Sequence, residues 1–250
     1  MRLIIDNGHN GAFNMALDEA MLILRSVNAI PNTLRLYVFK PSTITIGYFQ
    51  SLSQVVNIDY VRSKGIPVVR RPTGGGAVYH DEFGEVTYSL VLSEDLIPKN
   101  IEESFRVITE GVVRAIRYLG APAEFKPLND VVINGKKVSG QAQLRRLGVV
   151  LQHGTLMYNT DLDVLCNALA PPAPKLREKG IKSIRERVTT VSNYLGRRIS
   201  KDEVIKALIK GFSDALNAEL VPSKLSDAEL VLARSLKWKY TSHGWNYLRP

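Results

Sequence analysis

Arg70-Arg71-Pro72-Thr73-Gly74-Gly75-Gly76-Ala77-Val78-Tyr79-His80-Asp81 is the stretch on which the reading of this chain turns. It follows Val68 to Arg71, a β-branched run that reads as a strand. Three consecutive glycines tolerate positive φ and let a ligand approach the backbone, where N–H groups can hold anionic oxygens. Two arginines just before the turn add permanent charge and forked donors suited to carboxylate or phosphate. The same residues also fit a tight turn on a sheet edge with surface arginines. Neither the Walker loop nor the spaced-glycine dinucleotide fingerprint is present.

Outward from this loop, strands and helices alternate irregularly. Leu3 to Ile5, Leu34 to Phe39, Thr43 to Ile46, Val86 to Val91, Val131 to Ile133 and Val149 to Tyr158 read as strands. Phe13 to Arg25, Ile101 to Leu119, Lys201 to Leu216 and Asp227 to Lys237 read as helices. Asn10 or Asn14 is a candidate cap for the first, and Ser200 with Glu203 forms a capping-box pattern. Pro171, Pro172 and Pro174 mark a loop. The pattern predicts an α+β fold, a mixed sheet with helices packed on it, as one body over residues 1–250.

Two further stretches bear chemistry. In Asn129-Asp130-Val131-Val132-Ile133-Asn134-Gly135-Lys136-Lys137-Val138-Ser139-Gly140, Asn134-Gly135 between β-rich runs signals a hairpin. Alternation along the return strand then turns one of Lys136 and Lys137 inward. An inward lysine could stabilise charge developing on an acyl phosphate, and Asp130 opposite could hold Mg2+. A solvated hairpin tip fits the residues equally well. In Gln152-His153-Gly154-Thr155, His153 suits a general base, but a lone strand histidine is more often structural, and His80 has the same status. Cys166, in an apolar helix-like run, reads as core rather than nucleophile.

Composition bounds these readings. The chain has 250 residues, 45% hydrophobic and 23% charged, an ordinary globular balance. One cysteine excludes an internal disulfide, and no apolar run is long enough for a signal core or membrane span. A cytoplasmic protein without membrane partners is expected. The net charge of +9 is dispersed among acidic residues, and no nucleic-acid motif accompanies it, so nucleic acid is not expected as a partner.

Taken together, these stretches resemble the lipoate–protein ligase A family. The Arg-Arg-x-x-Gly-Gly-Gly-Ala-Val-x-His-Asp loop, Asn129-Asp130, the Lys-Val-Ser-Gly hairpin and His153-Gly154-Thr155-Leu156 occur in the family's order. Met15 to Ala20, Ile46 to Gln50 and Ser183 to Thr189 add matches, so the resemblance runs from about residue 3 to 248. It implies the catalytic-domain fold shared by biotin and lipoate protein ligases. It also implies activation of lipoate with ATP and Mg2+ to lipoyl-AMP, with no tightly bound cofactor. The acyl group would then pass to a lysine of a lipoyl-acceptor domain, on a 2-oxoacid dehydrogenase acyltransferase component or a glycine cleavage H protein.

Carried over, Arg71, Gly74, Gly75, Gly76, Ala77, Val78, Tyr79, Asn129 and Asp130 would bind ATP and the adenylate. Lys137 would contact both phosphate and acyl carbonyl, as the catalytic residue. Tyr48, Phe49, Arg70, His80, Ser139, Gly140, His153 and Gly154 would shape the lipoate pocket. The resemblance is to the archaeal-type large subunit, so the family's C-terminal accessory domain is expected to be absent and a separate small accessory subunit is implied. Related octanoyl- and lipoyl-transferases use a cysteine, in one branch just before the hairpin, where this chain reads Ala121 to Leu128 without one. The rival readings are therefore a transferase that must use Cys166, or a non-catalytic binding protein on the same fold. Biotin ligase is the weakest rival, since its Gly-Arg-Gly-Arg-type loop is absent.

Overall fold

The computed structural model describes residues 1–169 and 182–249; the expected loop around Pro171, Pro172 and Pro174 lies outside the described residues. Strands β1 (Arg2–Ile5), β2 (Thr33–Tyr37), β6 (Glu85–Ser93), β7 (Ala123–Lys126), β8 (Asp130–Ile133), β9 (Lys136–Arg146), β10 (Val149–Met157) and β11 (Val221–Ser223) form one sheet. Its order is β11-β1-β2-β6-β10-β9-β8-β7. β1 runs parallel to β11 and β2, and the remaining pairs are antiparallel, so the sheet is mixed, as expected. A small second sheet, β4-β3-β5, comprises β3 (Thr43–Ile46), β4 (Val68–Arg70) and β5 (Val78–His80).

Register decides what each face of the large sheet carries. Across β2, β6 and β10, one row reads Leu34, Leu90, Gln152 and another Leu36, Tyr88, Gly154. Helices α4 (Ile101–Tyr118) and α8 (Lys201–Leu216) cover this side, where Ile108, Val112, Ile116, Leu208 and Phe212 join the sheet residues in one apolar core. Gly111 and Gly211 allow the two helices to approach: a Cβ there would run into Phe212 or the Gly111 carbonyl.

Side chains alternate, so the intervening rows face the other way. They read Arg35, Ser89, His153 and Tyr37, Thr87, Thr155, which is far more polar. Helices α1 (Gly11–Ser26) and α9 (Asp227–Thr241) seal part of this face through Met15, Leu17, Met21, Val91, Leu151 and Tyr240. The small sheet lies beside α1, with α2 (Leu52–Val55), α3 (Ile58–Ser63) and α5 (Leu162–Leu169) building a third apolar cluster against it. A polar strip therefore remains between α1, the small sheet and β9–β10.

Asn10 and Ser200 cap their helices as expected, and Ser226 caps α9. The Asn10 side chain accepts from the Phe13 N–H, and Ser200–Glu203 and Ser226–Glu229 both form complete capping boxes. Asn134 and Gly135 adopt φ of 49° and 75°, the left-handed pair that a two-residue hairpin turn needs. Periodicity did not find β5, β7, β11, α2 and α3, nor the helix over 182–187 (α6), α7 (Val191–Leu195) and α10 (His243–Asn246). Each is too short to show a period.

Candidate active site

The two hairpin lysines separate as alternation requires: Lys136 is exposed, whereas Lys137 turns inward and its Nζ lies 2.7 Å from Asp130 Oδ1. Gly140, on the same strand, is what allows this pose. A Cβ there would sit 2.8 Å from both Cε and Nζ of Lys137. The late Ser183–Thr189 stretch fixes the lysine from behind, since the Thr189 N–H donates to the Lys137 carbonyl at 2.9 Å. Gly140→Ala is expected to push the lysine off its position and lower turnover by roughly 10²-fold. Thermal unfolding measured alongside should show little change, and unimpaired steady-state turnover would refute the positioning role.

Lys137 stands where two cavities meet. The inner one, about 70 Å3, runs between the glycine loop and the polar strip of the large sheet. Arg71, Gly76, Ala77, Val78 and His80 line it from one side, and Asn129, Gly140, His153, Gly154 and Thr155 from the other. The outer groove, about 390 Å3, is more apolar, with Val55, Met157, Leu165, Leu169 and Val188. Ala77, Val78, Lys137, Gly140 and Thr155 border both. A small cavity thus adjoins a larger, more apolar groove, with the Lys137 amine at their junction.

Arg71 forms the wall of the inner cavity. Its Nη2 donates to the carbonyls of Gly74 and Gly76, both at 2.7 Å, which pins the glycine loop from inside. Burial pulls this guanidinium down to about 10, because no carboxylate compensates for lost water. His153 lies beneath, its Nδ1 2.9 Å from Asp18 and its Nε2 2.7 Å from Thr73 Oγ1. Burial pushes its imidazole below the usual histidine value, outweighing the opposing effect of Asp18. Gly75 has φ of 88° and its carbonyl packs onto Gly47, a contact that a Cβ on Gly47 would abolish.

Several expected site residues lie elsewhere. Arg70 is wholly buried but points away, donating to backbone carbonyls of Gly47, Tyr48, Gln50, Trp245 and Asn246, so it ties the C-terminal segment to the loop. Tyr48, Phe49 and Gly74 line a separate groove with Arg145, Arg146 and Trp245. Tyr79 faces the outer groove. Ser139 is buried and accepts from Gln141 Nε2. Sequence reasoning missed Met15, Tyr37, Phe39, Thr45, Thr87, Gln141 and Ala142, which complete the inner cavity. The only signal for Asp18 was an acidic pair, Asp18-Glu19, within an otherwise apolar helix stretch.

The lipoyl protein ligase A/B catalytic domain family matches residues 10–213. An octanoyltransferase from Brevibacillus brevis is 37% identical over 99% of this chain and 99% of its own. A solved bi-partite lipoate protein ligase from Thermoplasma acidophilum, part of an archaeal lipoylation system with its E2 lipoyl domain, superposes with a TM-score of 0.88. It is 38% identical and is matched over 100% of this chain and 97% of its own. A biotin protein ligase from Aquifex aeolicus, 16% identical with a TM-score of 0.51 over 86% of this chain and 70% of its own, shares the fold.

These relatives correct the expectation of an ATP-dependent lipoate ligase. Several full-length sequence relatives at 35–38% identity are octanoyltransferases, and a transferase takes an acyl group that its donor already activates. ATP and Mg2+ as co-substrates, lipoyl-AMP as intermediate and free lipoate as substrate are therefore set aside. Asp130, expected to hold Mg2+, is ion-paired with Lys137. Among the described residues no group of three or more His, Cys, Asp or Glu could hold a metal ion, and no helix is long and apolar enough to cross a membrane. With a family match over most of its length and full-length relatives above 30% identity, the chain belongs to the lipoyl protein ligase A/B catalytic-domain family.

Proposed function

We propose that this chain transfers a medium-chain acyl group, of the octanoyl or lipoyl type, from an activated thioester donor to a lysine of a lipoyl-acceptor domain. The observation that carries this reading is Lys137 at the junction of a small inner cavity and a larger, more apolar groove. The acyl chain enters the inner cavity beside Arg71, Gly76 to Val78, His153 and Gly154. Its carbonyl then lies near Lys137, and the donor and acceptor reach it through the outer groove. The acceptor amine attacks the carbonyl, the new C–N bond forms, the C–S bond breaks, and the amine proton leaves with the thiol. Lys137 donates to the oxygen on which negative charge develops.

Cys166 is not the nucleophile in this scheme. It is 1% exposed, packed with Leu162, Leu165 and Met157, and lines neither cavity. Burial also pushes its thiol up, away from the thiolate that a nucleophile needs. Cys166→Ala is expected to retain full transfer, and its inactivity in a folded protein would restore the cysteine route. The deciding assay mixes an octanoyl-loaded carrier protein with an acceptor domain, follows acceptor mass, and omits ATP. Acylation without ATP supports transfer; acylation only with free acid and ATP would overturn it.

A further inference from the structure

Two hydrogen-bonded chains converge on Arg71 from opposite sides. In one, Arg71 Nε donates to Thr73 Oγ1 at 3.1 Å, Thr73 Oγ1 lies 2.7 Å from His153 Nε2, and His153 Nδ1 lies 2.9 Å from Asp18. In the other, Arg71 Nη1 donates to Thr45 Oγ1 at 3.2 Å, Thr45 Oγ1 lies 2.9 Å from His80 Nε2, and His80 Nδ1 lies 2.8 Å from Glu85. Arginine, threonine, histidine and carboxylate recur in the same order, on residues from six different elements and loops. All of these side chains are buried.

The direction of every proton in both chains follows from the arginine. A guanidinium has donors and no acceptor, so each threonine oxygen must accept from it. The threonine hydrogen then needs its own acceptor, and among the described residues the only one in reach is the histidine Nε2. That nitrogen is therefore bare, the proton sits on Nδ1, and Nδ1 donates to the carboxylate. We propose that His80 and His153 are positioning residues, both held as neutral Nδ1–H tautomers, whose relays through Thr45 and Thr73 fix Arg71 against the glycine loop. Arg71 in turn holds the Gly74 and Gly76 carbonyls, so the relays set the wall along which the acyl chain lies. Neither histidine exchanges a proton with substrate; this distinguishes them from the general base that a strand histidine suggests.

Nitrogen-15 NMR of histidine-labelled wild-type protein at pH 7 tests the assignment without reference to activity. His80 and His153, assigned by single substitution, are expected to show a protonated Nδ1 and a bare Nε2. An Nε2–H tautomer or an imidazolium at either position would overturn the proposal. A kinetic arm, which rests on the acyl-transfer reading, compares His153→Gln with His153→Leu. Glutamine can accept from Thr73 and donate to Asp18, so it should retain most of the activity, whereas leucine should lose about tenfold or more. Thr73→Val should lose as much as His153→Leu, and the double variant no more than either. Equal losses in Gln and Leu variants that remain folded, or additive losses in the double variant, would show packing instead of a relay. If no variant, nor the wild type, transfers acyl groups, the NMR result still stands or falls alone.

Discussion

Lys137→Ala is expected to lower the turnover of acyl transfer by about 10²–10³-fold, the loss seen when one donor to a developing oxyanion is removed. Stability should barely change. The Lys137 side chain is 39% exposed and its partner Asp130 31%, so their pairing belongs to the class of exposed ion pairs contributing about 0–1 kcal/mol. Donor binding should also be little affected, because the inner cavity is built mainly by Arg71, the glycine loop and β10. The expected signature is thus a fall in kcat with a nearly constant KM. Lys137→Arg should not restore turnover, since a planar guanidinium cannot follow the lysine stem across Gly140. Single-turnover measurements with a loaded carrier would settle the matter: a variant keeping wild-type turnover refutes the assigned role.

The second large effect concerns stability. Arg35 is completely buried under α1 and binds Asp6 at 2.7 Å, Asn14 at 2.7 Å and Asp18 at 3.4 Å, with its guanidinium 3.8 Å above the Tyr37 ring. Arg35→Met would leave two carboxylates without their cation, and a loss of about 3–5 kcal/mol follows for a buried pair broken on one side. Asp6 adds a pH dependence. Burial tends to raise its carboxyl, but the hydrogen bond to His9 and the charge of Arg35 prevail and hold it far below the usual 3.8. A carboxyl lowered in the folded state stabilises above its ordinary value, and that contribution disappears as pH falls through the lowered value. Removing Arg35 removes much of it, so the gap between variant and wild type should be widest near neutrality. It should narrow below about pH 4. Urea unfolding of both proteins across this range provides the check; a gap under 1 kcal/mol at pH 7, or one independent of pH, contradicts the account.

Local sequence carried a good deal of this molecule. Asn134-Gly135 determined its hairpin because few residues tolerate two positive φ values in succession. Ser200-x-x-Glu203 determined where α8 starts, because its capping groups lie within one turn of chain. Alternation alone sent one of Lys136 and Lys137 inward. The motif order also identified the family. It did not identify the reaction, because relatives of comparable identity include both a lipoate protein ligase and octanoyltransferases. Full-length relatives were needed to correct that point.

The glycine loop shows where local reading stopped. Arg70 and Arg71 are adjacent and chemically alike, and the sequence offered no means to tell them apart. In the fold Arg70 turns back to hold the C-terminal segment, while Arg71 faces the cavity. Adjacent strand residues point to opposite sides, and which side is the site depends on what packs there. The residues linked to Arg71 are equally remote: Thr45 from β3 bonds it directly, and His153 from β10 and Asp18 from α1 reach it through Thr73. The sequence by itself determined the short-range elements, and that one of Lys136 and Lys137 turns inward. Tertiary structure alone decided which arginine faces the inner cavity and which carboxylates meet the two histidines, because those choices depend on contacts between residues up to 176 positions apart.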